Sequence, residues 1–134
     1  ASWIIIGLKT IETRTHDRFK ILDGQRVLIH AGQKFDHRAI PNPYLNSKGS
    51  QWNLPMKEHS YGKGRILGSA QLKWIGELDD SHSEGALIDC GNTLRYGLQV
   101  LSFDPWPQPF PVAGAMGIWY FDMERMVRTR KPIR

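Results

Sequence analysis

Residues 7–14 read Gly7-Leu8-Lys9-Thr10-Ile11-Glu12-Thr13-Arg14, placing one acid and two bases among β-branched residues. The alternation predicts a strand over 9–15, and on a strand every second side chain shares a face. Glu12 and Arg14 therefore point the same way with Thr10 beside them. Lys9 lies at the strand entry, where its amine can turn to either side. A carboxylate flanked by a guanidinium and an ammonium can orient a base edge, a phosphate or an amide. The same trio can move a proton if burial lowers the lysine pKa. The plainer alternative is an exposed ion pair on an edge strand, which contributes little to stability.

Other residues carry weaker chemistry. The five histidines (His16, His30, His37, His59, His82) show no H-x-x-x-H spacing, so no metal site is expected, and no cofactor is implied. His30, inside the apolar run RVLIHA, reads as a hydrogen-bonded core residue before it reads as a base. Cys90, the single cysteine, has no visible activating partner. Ser2 lacks the G-x-S-x-G elbow of a hydrolytic nucleophile. Residues 44–65 interleave Lys48, Lys57, Lys63 and Arg65 with Tyr44, Trp52 and Tyr61, a mixture that suits single-stranded nucleic acid. Trp52 either stacks on a base or pins this long excursion to the body, and Trp119 reads as core.

The charge is unevenly spread. The chain has 18 Lys and Arg against 13 Asp and Glu, a net +5. Five of those cations (Arg125, Arg128, Arg130, Lys131, Arg134) fall in residues 123–134 beside one acid, Glu124. The expectation is a body over 1–122 and a basic tail over 123–134. That tail is either a solvated end or an electrostatic arm that gains affinity for nucleic acid by releasing counterions.

These groups need a scaffold. With 134 residues, 40% hydrophobic and 23% charged, the composition fits one globular domain rather than a disordered chain. No apolar run reaches the ~20 residues of a membrane helix, and Trp3–Ile6 lacks the flanks of a signal peptide. One cysteine allows no internal disulfide, so a cytoplasmic, nucleoid or nuclear protein is expected rather than a secreted one. The pattern predicts a short helix ending near Gly7, a turn at Asp23-Gly24 and a buried strand over 26–31. It places a helix around 35–40 and a turn-rich excursion over 33–63. A long strand with a bulge or bend at Gly68 spans 65–78, followed over 79–92 by a connection with one helical turn. A strand over 94–103, a proline-rich crossing over 104–111, a last strand over 117–122 and a helical tail complete the chain. Several strands, few helices and many Gly/Pro turns predict a small mixed β-barrel with surrounding helices, of α+β class.

Gly7-x-Lys9-x-x-Glu12-x-Arg14 resembles the GxKxxExR signature of the ASCH family, named for homology to a transcriptional coactivator of nuclear receptors. Ala1-Ser2 is similar to the end of that family's Pro-Trp-Ala-Ser opening, and Gly24–Ala31 to its G-x-x-v-x-I-H-A strand. Gly64–Leu72 resembles its G-x-i-v-G-x-a-x-v strand, and Gly114–Phe121 its closing G-x-x-G-x-W strand. The resemblance implies a PUA-like barrel whose cleft receives RNA, DNA or a modified nucleobase. Lys9, Glu12 and Arg14 would line that cleft, with Ser2 and Trp3 contributed by the preceding helix; Trp52 and Lys57 of the loop are binding candidates by residue type alone. Nucleic-acid binding is the first expectation, with a protein partner possible and no membrane partner. The alternative is a small metal-independent hydrolase, an acylated-cytidine amidohydrolase or a ribonuclease, with Lys9 and Glu12 catalytic. The amidohydrolase-like relatives carry Thr where this chain has Glu12, so their mechanism does not carry over intact.

Overall fold

The computed structural model describes residues 9–32, Tyr44 and 64–132. Its strands are β1 (Ile11–Arg14), β2 (Arg26–Ala31), β3 (Arg65–Glu77), β4 (Tyr96–Pro111), β5 (Tyr120–Asp122) and β6 (Val127–Thr129). One short helix, α1 (Ser83–Ala86), follows a 3-10 turn at Asp80–His82, and a second 3-10 turn spans Arg18–Leu22. The first four strands form one antiparallel sheet in the order β1-β4-β3-β2, and β5 and β6 form a separate hairpin. The fold is a small strand-rich α+β arrangement.

It departs from the expected closed barrel. Closure requires the two edge strands to pair. Among the described residues, the four-residue β1 and six-residue β2 lie at opposite edges and do not meet. The expected helices at 1–8 and 35–40 lie outside the described residues.

The long β3–β4 pair is the spine, and among the described residues apolar side chains cover it in two clusters. Ala70, Leu72 and Leu98 form one, with Phe19, Leu22, Val27, Ile29, Trp74, Val100 and Phe103 packed around them. Ile11, Leu78, Ala86 and Cys90 form the other, between β1, the end of β3 and α1. Gly68 marks the bend that the sequence predicts. A Cβ there would collide with the Asp104 carbonyl oxygen and lie 2.8 Å from Pro105 Cα, so β4 crosses at backbone distance.

The expected end of the strand at 103 is corrected, because pairing with β3 runs on through Pro105 and resumes at Phe110 and Pro111. Between those stretches the register jumps, so that Trp106–Pro109 stand opposite Leu67 alone. Pro107 and Pro109, which cannot donate to a ladder, thus fall in a bulge, while Pro105 and Pro111 stand in register with Gly68 and Arg65. Two further expectations change. The strand expected over 117–122 is the short Tyr120–Asp122, and 127–129 is a strand and not a helix. Val127 and Thr129 are β-branched, and Asp122 makes the turn by accepting from the backbone N–H of Glu124 (2.9 Å) and Arg125 (3.0 Å). The 122/123 boundary drawn from composition falls at this turn.

Candidate functional site

β1 is anchored on both sides. The N–H of Thr10 donates to the Gly85 carbonyl in α1 (2.9 Å), and the Thr10 carbonyl accepts from Val100 of β4 (2.8 Å). Gly85 permits this approach, since a Cβ would lie 2.8 Å from Thr10 Oγ1. Ile11 then points into the apolar cluster with Leu78 and Ala86, which turns Glu12 to the opposite face.

On that face the three expected residues meet. Lys9 Nζ stands 3.4 Å from Glu12 Oε2, and Arg14 Nη1 binds Glu12 Oε1. Exposure rises along the row, from 19% for the Lys9 side chain through 26% for Glu12 to 40% for Arg14. Burial alone pushes the Glu12 carboxyl up, but the charges of Lys9 and Arg14 outweigh it and hold the group below its usual range. Glu12 is therefore an ionised acceptor between two cations.

Arg14 joins this row to a cleft. Its guanidinium also donates to the Thr13 carbonyl (2.8 Å) and lies 4.7 Å from the centre of the Phe19 ring. His16 stacks on Phe19 at 5.4 Å, and its Nδ1 accepts from the backbone N–H of Arg18 (3.3 Å). That leaves the neutral ring's proton on Nε2. The Arg18 guanidinium has no partner among the described residues. Arg14, His16, Arg18 and Phe19 line one side of an open cleft of about 520 Å³, and Met116, Gly117 and Ile118 line the other. One wall offers cations and a ring, and the other is apolar.

Of the expected site residues, Lys9, Glu12 and Arg14 are brought together. Ser2, Trp3, Trp52 and Lys57 lie outside the described residues. In the basic hairpin Arg125, Arg128, Arg130 and Lys131 are all exposed, and Arg128 donates through Nη1 to the carbonyls of Ala113 (3.0 Å) and Gly114 (2.7 Å). His30 is a hydrogen-bonded packing residue, as its place in an apolar strand implies. Its Nε2–H donates to the Val112 carbonyl (2.8 Å), and Trp119 packs edge-on at 5.2 Å. Cys90 is buried beside Ser83, and desolvation pushes its thiol up, away from the reactive thiolate.

The motif reading did not include His16, Arg18, Phe19 and the 116–118 loop. The signal for the first three was present as cation and ring types directly after Arg14. The loop gave none, because its membership depends on tertiary placement. No protein-family model matches the chain, and no curated protein matches it.

Proposed function

We propose that the chain is a nucleic-acid-binding module of the ASCH type, which takes a single-stranded segment or an exposed nucleobase in this cleft. The observation that carries the reading is the continuity from the Lys9–Glu12–Arg14 row into a cleft holding Arg18, His16 and Phe19. Glu12, kept ionised, accepts from a base amino group. Arg14 and Arg18 engage phosphate or carbonyl oxygens. Phe19 and His16 supply flat surface, and Met116 and Ile118 close over the ring from the other side. Arg125, Arg130 and Lys131 add a salt-sensitive attraction for the backbone.

The test is fluorescence anisotropy with short labelled RNA and DNA strands, with the strands recovered for mass spectrometry. Replacing both Arg14 and Arg18 by Ala is expected to weaken binding by roughly tenfold or more, as charge-assisted hydrogen bonds would. Equal affinity in the double variant would refute the assignment. Cleaved strands, or deacylation of an added N4-acylated cytidine that Lys9→Ala and Glu12→Ala abolish, would replace it with the hydrolase reading.

A further inference from the structure

The apolar wall of the cleft is held by side chains reaching in from two strands. Three successive carbonyls are engaged: Val112 by His30 of β2 (2.8 Å), then Ala113 (3.0 Å) and Gly114 (2.7 Å) by Arg128 of β6. The same His30 ring meets Trp119 just beyond the wall residues. Gly114 is pressed against that ring, since a Cβ there would lie 2.7 Å from His30 Cε1. Between these anchors Met116 is 99% exposed and has no packing to hold it in place.

We propose that Arg128, together with His30, is a positioning residue that sets the apolar wall of the cleft. This cation of the basic hairpin serves recognition through the 112–118 loop and does not touch phosphate. The part concerning recognition rests on the nucleic-acid reading above; the part concerning the wall does not. Among the described residues of the basic hairpin, Arg128 is the one whose guanidinium donates to carbonyls, both bonds leaving from Nη1, and this ties its side chain to the 112–118 loop. Lysine keeps the charge on a flexible point-like head without the guanidinium's fixed planar geometry, so it separates placement from charge.

The experiment uses the full chain and two readouts. Hydrogen exchange without ligand is followed over residues 112–119 in Arg128→Ala, Arg128→Lys, Gly114→Ala and the control Arg130→Ala. The first three are expected to speed exchange there and leave β3 and β4 unchanged, and Arg130→Ala to change nothing. Affinity for a labelled oligouridylate is then measured across a salt series. Arg128→Ala, Arg128→Lys and Gly114→Ala should each weaken binding by about tenfold with the salt slope preserved, the size of one or two lost hydrogen bonds. Arg130→Ala should lower the slope by about 0.7, the value for one phosphate contact on a single strand.

Unchanged exchange in Arg128→Ala, wild-type behaviour of Arg128→Lys, or a slope lowered in Arg128→Ala as in Arg130→Ala would overturn the proposal. Should the wild-type chain not bind oligouridylate, the nucleic-acid reading falls and exchange still decides the wall. Faster exchange over 112–119 in Arg128→Ala then upholds it, and unchanged exchange overturns it.

Discussion

The 14–19 side of the cleft grows out of the sheet. Arg14 pairs with Tyr96 in the β1–β4 ladder, and Phe19 packs against the cluster of Ala70, Leu72 and Leu98. The 116–118 side hangs from polar contacts made by His30 and Arg128, and its own residues are exposed. Hydrophobic burial and backbone pairing hold the first wall, and a few side-chain hydrogen bonds with one backbone bond, from the Val112 N–H to the Gly64 carbonyl (3.0 Å), hold the second. The cationic wall should therefore lose its shape only with the whole fold, while the apolar wall can shift locally.

The largest effect expected from breaking this contrast is at the spine. Leu72→Ala removes a side chain that is 4% exposed at the sheet centre and should cost about 3 kcal/mol in denaturant unfolding. Both walls should be lost in one transition.

Next comes the hairpin turn. Asp122→Ala leaves two backbone N–H groups without their acceptor and should cost about 1–2 kcal/mol. Hydrogen exchange should locate the loosening in 120–129 and spare β1.

Glu12→Gln sharpens the comparison on the other wall. Its carboxyl is held below the ordinary 4.5, so its contribution is fully present above that value and is lost as pH falls through the lower folded-state pKa. Stability of the wild-type chain should drop in that acid window, and the Gln variant should lack this component. Near neutral pH the difference should be about 1 kcal/mol or less, given partial exposure.

Met116→Ala should be the smallest in stability, within about 0.5 kcal/mol by thermal melting, because the side chain touches little. Affinity for single-stranded RNA should nonetheless fall, which would separate a binding wall from a structural one.

The strand signals that proved readable were those of continuous apolar or β-branched runs. The run over 26–31 matches β2 residue for residue, and the one over 65–78 matches β3 within one residue. Glu12 and Arg14 could be placed on one face because strand periodicity is local. The bulged prolines of β4 could not, since whether a proline ends a strand depends on what its partner strand does. The basic tail read as separate from the body because charge density says nothing of pairing. Only the register of Asp122 with Val127 shows that it turns back on β5. The apolar wall was hidden for the same reason: residues 14–19 and 116–118 meet only through the fold.

The most direct test of the cleft is amide chemical-shift mapping of the full chain titrated with a short single-stranded RNA. Shifts concentrated at residues 14–19 and 116–118, and absent from the acidic 79–92 connection, are the expected result. No shifts, or shifts confined to surfaces away from Arg14, Phe19 and Met116, would contradict it.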